Sequence, residues 1–88
     1  GMDRQRLHQD LTELRQELEG LPTDAEARQR LLALIRRIET RLDVPSAAES
    51  RESLVGGIDE AIAEFEVEHP RAALLLQRIV HTLSSMGI

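Results

Sequence analysis

The chain has 88 residues and a net charge of −5, with no cysteine, no tryptophan and no tyrosine, and all of its 11 basic residues besides histidine are arginine. Disulfides, thiolate catalysis, Schiff-base lysines and a P-loop lysine are excluded by composition alone. The negative balance argues against nucleic acid as a partner, and the missing Trp and Tyr remove the usual platforms for stacking bases.

Four apolar stripes run along the chain. Leu7, Leu11, Leu14, Leu18 and Leu21 are spaced 4-3-4-3. Leu31, Ile35, Ile38 and Leu42 form the second stripe, Leu54, Ile58, Ala61 and Phe65 the third, and Ala72, Leu76, Ile79, Leu83 and Met86 the fourth. Each places its apolar side chains on one face of an α-helix.

Gly1 ahead of Met2 reads as a tag-removal scar, which leaves 2–88 as a single helical domain. Asp3 is placed to cap a first helix over 3–19, and Gly20 with Pro22 stops it. Thr23 and Glu26 have capping-box spacing for a second helix over 23–43, with Arg36, Arg37 and Arg41 near its negative end. The short connection predicts an antiparallel hairpin. The pairs Arg6/Asp10, Arg15/Glu19, Asp24/Arg28 and Glu26/Arg30 are expected to support its outer faces at i,i+4 spacing.

Val44-Pro45 ends the second helix, and Ser46 with Glu49 offers a capping box for a third over 46–68, although Ser50 could start it one turn later. Gly56-Gly57 falls inside that helix and implies either a close neighbour or a bend. His69-Pro70 reads as a sharp corner, with His69 at the N-cap and Pro70 opening a fourth helix over 70–86; one long Pro-kinked helix is the alternative. Gly87 is a natural C-terminal stop.

No basic and apolar signal segment follows Met2, and the longest apolar run, Ala72 to Leu76, is far short of the roughly 20 residues that span a bilayer. A cytoplasmic protein without a membrane span is expected. The 27 apolar residues larger than alanine include a single aromatic, Phe65, so a lone chain of this size has little margin of core. Homodimerisation, with leftover stripe residues of two chains completing one core, is the expected remedy.

Few residues point to chemistry. Glu66-Val67-Glu68-His69 has the Glu-x-x-His spacing that supplies ligands in di-iron helical bundles, yet such sites need further glutamates from other helices, and Pro70 puts the imidazole at a helix end. The bland alternative is a His69 that caps the fourth helix and packs against Phe65. Glu60, Glu64 and Glu68 form an i, i+4, i+8 row beside Asp59 and Glu66, where like charges repel and oppose the helix dipole. Either arginines, a basic partner or a cation neutralise them, or they form a solvated face. His8 and His81 fall off the stripes and should face solvent, and the serines lie in no G-x-S-x-G elbow.

The stretch from Ala61 to Ile88, above all Phe65-Glu66, His69-Pro70 and the ending Leu83-Ser84-Ser85-Met86-Gly87-Ile88, resembles a family of short bacterial proteins of about this length known only as a domain of unknown function, family 4404 of that series. The N-terminal half matches in its Leu-rich helical pattern alone. The resemblance implies a bacterial, single-domain protein and carries over no activity and no catalytic residue.

The expectation is therefore an all-α protein of four amphipathic helices in antiparallel hairpins, completed as a bundle by homodimerisation. It would act as a non-catalytic self-association or protein-interaction module, without a cofactor. Two rivals stand beside it. One is a metal-binding bundle using Glu66 and His69. The other is an adaptor for a basic partner through the acidic face of the third helix, with Glu60, Glu64, Phe65, Glu68, His69 and Pro70 as interaction candidates.

Overall fold

A computed structural model describes residues 1–44, 46 and 48–88, and in it the stripes become α1 (Met2–Glu19), α2 (Ala25–Asp43), α3 (Arg51–Phe65) and α4 (Pro70–Met86). Among the described residues there is no strand. Pro45, expected to end the second helix, lies outside the described residues.

The helix ends follow local chemistry: the N-caps of α1 and α2 and the end of α3 differ from the sequence reading, and at the start of α3 the later of the two positions it offered is taken. The N-cap of α1 is Gly1, without a side-chain cap, while Asp3 sits in the first turn. Asp24 rather than Thr23 caps α2, its Oδ1 accepting from the Ala27 N–H at 2.7 Å. Ser50 rather than Ser46 caps α3, its Oγ accepting from the Ser53 N–H at 3.1 Å. The expected Ser46/Glu49 box does not form because Glu49 is engaged elsewhere, by Arg37 and by the Ser53 hydroxyl at 2.9 Å.

At its other end α3 stops at Phe65, three residues short of the expected 68. A helix continued into Pro70 would drive the pyrrolidine ring into the carbonyl of Glu66 and leave that carbonyl without its donor. Instead the chain turns through 66–68, and His69 takes a non-helical conformation (φ −135°, ψ 65°) before Pro70 opens α4. The corner is sharp. Gly87 closes α4 in the left-handed conformation (φ 72°), where its N–H donates to Ser84 O at 3.1 Å.

The four helices run up, down, up, down. Arg4 of α1 reaches Leu42 O of α2 at 3.3 Å and Asp43 at 3.7 Å, while Arg28 reaches back to Leu18 O and, at 2.6 Å, to Leu21 O. These crossings fix α1 and α2 antiparallel. Arg30–Glu64 does the same for α2 and α3, Arg51 to Ile88 O (2.8 Å) for α3 and the end of α4, and Arg71–Glu13 (3.1 Å) for α4 and α1. Helix α4 approaches α1 and α3 most closely. Its buried face begins with the small residues Ala72 and Ala73, which allow a close approach, and continues with Leu75, Leu76, Ile79 and Leu83; α2 buries Ala27 and then only the larger Leu31, Leu34, Ile35, Ile38 and Leu42.

All stripe residues are buried except Ala61 and Met86, which are half-buried against the same core. The four stripes thus close on one another within one chain, and none is left in the open for a second chain to cover. Among the described residues the large apolar side chains that remain exposed are Met2, Val44, Val67 and Leu74, well separated along the chain. Among the described residues no helix is long and apolar enough to cross a membrane.

The expected i,i+4 pairs on the outer faces of α1 and α2 give way to longer reaches. Arg15 bonds Glu39 at 2.5 Å rather than Glu19, Arg28 serves carbonyls rather than Asp24, and Arg30 bonds Glu64 rather than Glu26. Arg6 lies 4.0 Å from Asp3, and its expected partner Asp10 pairs with Arg78 of α4. An intrahelical pair on an exposed face contributes a few tenths of a kcal/mol, so the planar five-donor fork of arginine finds better partners on a neighbouring helix.

Candidate functional site

Two regions hold the sequence-predicted candidates and the buried polar groups: the outer side of α3 with its corner to α4, and the seam between α1 and α4; Glu17, Glu19 and Glu26 of α1 and α2 are further acids without an ion pair among the described residues.

On α3 the acidic row is broken up by the fold. Glu64 is neutralised by Arg30 of α2, whose guanidinium lies 2.5 Å from Oε1 and is held in its charged form by that bond. Glu60 lines a shallow groove of about 240 Å³ between α2 and α3, near Arg37 but without an ion pair. Glu66 and Glu68 fall beyond the last residue of α3, in the turn, so they no longer continue a helical i, i+4, i+8 row. Both are exposed, as are Glu52 and Asp59. Glu52, Asp59, Glu60, Glu66 and Glu68 have no ion-pair partner among the described residues.

Arg37 explains one of the two glycines. Its guanidinium, bonded to Glu49 and 3.4 Å from Ser53 O, lies across Gly57. Gly56 has nothing near it, and α3 runs unbroken through both. A close neighbour, here a side chain from α2, is therefore the reason at Gly57. The Arg37 bond holds the Glu49 carboxyl below its usual range, with the Ser53 hydroxyl acting in the same direction.

At the corner, Phe65 is buried and His69 is half-buried, with ring centroids 5.9 Å apart and planes inclined at 46°. The packing against Phe65 matches the sequence reading. The capping does not, because the His69 side chain makes no cap hydrogen bond; its backbone N–H donates to Phe65 O at 2.8 Å instead. Pro70 is exposed at the first position of α4. Among the described residues no group of three or more His, Cys, Asp or Glu is gathered as a metal would require, so Glu66 and His69 have no third protein donor beside them. His8 and His81 are exposed, as their positions off the stripes require.

The residue that sequence reasoning missed is Asp10. It is fully buried between α1 and α4, with Arg78 Nη2 2.9 Å from its Oδ1 but outside hydrogen-bond geometry, so neither carboxylate oxygen receives a hydrogen bond. Burial pushes its carboxyl above the usual aspartate range; Arg78 pulls it down, Glu13 adds to the rise and Arg6 opposes it. A signal was present: Asp10 follows Leu7 by three and precedes Leu14 by four, the register of the stripe itself. Thr82 is the second polar residue in the core, and its hydroxyl donates to Arg78 O at 3.0 Å.

Comparison with known proteins adds a family but no activity. Neither the curated proteins nor the solved structures yield a match. Residues 7–88 match the family model described as "Domain of unknown function (DUF4404)". The match runs from the first stripe residue of α1 to the last residue of the chain and takes in Asp10, the α3 acids and the His–Pro corner, so the chain belongs to the DUF4404 family.

Proposed function

We propose that this protein is a non-catalytic helical interaction module whose outer α3 face receives a basic segment of a partner protein. The observation that supports the reading is the distribution of charge. Of the 11 arginines, Arg36 alone makes no ion pair or hydrogen bond through its side chain among the described residues. The cations are engaged in contacts between helices, while Glu52, Asp59, Glu60, Glu66 and Glu68 have no ion pair along α3 and its corner, the last two flanking the exposed Val67. Such a face steers a basic partner and repels an acidic one.

Self-association belongs to the same reading, but through the surface and not through the stripes, which are closed within one chain. The reading assigns no catalytic residue and no cofactor. The test compares capture by the wild-type chain with capture by a doubly charge-reversed chain, Asp59→Arg with Glu66→Arg. A partner with a basic segment retained by the first and lost by the second supports the proposal; equal capture by both overturns it. Sedimentation over a range of concentrations reports self-association separately.

A further inference from the structure

We propose that the cavity between α1 and α4 binds a small organic monocarboxylate through Arg78 and Arg6. This site is independent of the acidic α3 face. The cavity has a volume of about 400 Å³ and is lined by Arg6, Leu74, Gln77, Arg78, His81 and Thr82, with no acid among its lining residues.

Arg78 is built into place. The buried Asp10 lies beneath it and meets one Nη, and no other side-chain partner of Arg78 is present among the described residues, so the rest of its donor fork faces the open cavity. The pair is a poor device for stability, because a buried carboxylate that receives no hydrogen bond is costly to desolvate. What the pair does is hold charge in place: the buried carboxylate keeps the half-exposed guanidinium of Arg78 over the seam by ion pairing, and its other donors can take a carboxylate in the bidentate mode. Arg6 stands at the same cavity with only a loose contact to Asp3, at 4.0 Å.

The charge count selects the ligand. Asp10 beneath Arg78 and Asp3 at 4.0 Å from Arg6, with Glu13 close enough to act on Asp10, offset much of the charge of the two guanidinium groups, which suits a monoanion better than a phosphate dianion. Leu74, on the cavity wall and 47% exposed, offers an apolar surface to the ligand body, and the Gln77 amide is available beside it. The site takes an R–COO⁻ group with a short apolar chain.

The test uses the full ¹⁵N-labelled chain titrated with hexanoate, acetate and inorganic phosphate, observing the Arg78 side-chain Nε–H and the backbone amides from Leu74 to Thr82. Saturable shifts with hexanoate, weaker with acetate and weaker again with phosphate, are the expected result. Arg78→Gln and Arg6→Gln should each weaken hexanoate about tenfold or more, the worth of a charge-assisted bond. Arg6 has an exposed side chain, so Arg6→Gln remains decisive if Arg78→Gln disturbs the fold. The proposal is overturned by an absence of saturable shifts with hexanoate, by phosphate binding as tightly as hexanoate, or by undiminished binding in Arg6→Gln.

Discussion

The guanidinium of Arg37 occupies the space that a side chain at position 57 would need: a Cβ on Gly57 would stand 2.8 Å from Nη1 and 2.9 Å from Nη2. The neighbouring Gly56 is exposed, with no atom within 4 Å of such a Cβ. Two adjacent glycines in one helix are therefore physically unlike.

Gly56→Ala should stabilise the protein by about 0.5–1 kcal/mol, because the backbone is helical and the space is open. Gly57→Ala should gain less or lose, since the Arg37 guanidinium would have to shift on its Glu49 partner. Arg37→Gln should restore the benefit at position 57. Urea melts of the two single variants and the double variant check this, and an equal gain at both glycines would contradict the packing.

Asp10 and Glu49 should depend on pH in opposite senses. The folded value of Asp10 is raised by burial, so the folded state holds the proton more tightly, and the stability associated with that proton is present at low pH and lost as pH rises through the raised value. Glu49 is lowered by Arg37, so its contribution is present above the unfolded value of 4.5 and lost as pH falls through the lowered one. Arg78→Ala, which strands Asp10 in the seam, should cost about 2 kcal/mol at neutral pH. The half-exposed side chain of Arg78 keeps this figure below that of a fully buried pair. The deficit should shrink on acidification as Asp10 protonates. Melts of the wild type and the variant across the acidic range, with carboxyl titrations followed by NMR, measure both effects.

Ser50→Ala should cost about 1 kcal/mol, the loss of an N-cap. Ser46→Ala, four residues earlier, should be nearly neutral, because α3 begins only after Ser50. Equal costs, or a larger cost at Ser46, would place the helix start a turn earlier than it is seen here.

At the His–Pro corner, Phe65→Ala should cost about 3–4 kcal/mol, as for other buried aromatics. His69→Asp should stabilise by about 0.5 kcal/mol by supplying the side-chain cap that the imidazole does not make, an effect reduced by the nearby Glu66 and Glu68. A chelator should leave the melting temperature unchanged. A chelator-sensitive melt, together with stoichiometric metal in the purified protein, would promote Glu66 and His69 to ligands.

The apolar stripes, the Pro70 start, the Gly87 stop and the class of fold were legible in the sequence because each rests on a local rule: helical period, a missing N–H, a permitted left-handed residue. The packing of His69 on Phe65 was legible for the same reason, as four residues bring two rings together around a corner. Partner choice was not legible. Asp10 looks like the outer-face mate of Arg6 one helical turn away, and only the approach of α4 buries it and presents Arg78. Glu49 looks like half of a capping box until Arg37 of α2 arrives to claim it. Arginine reaches across the groove between helices, so its partner depends on how helix axes sit in space, and that is settled by packing four stripes into one core and not by any spacing along the chain.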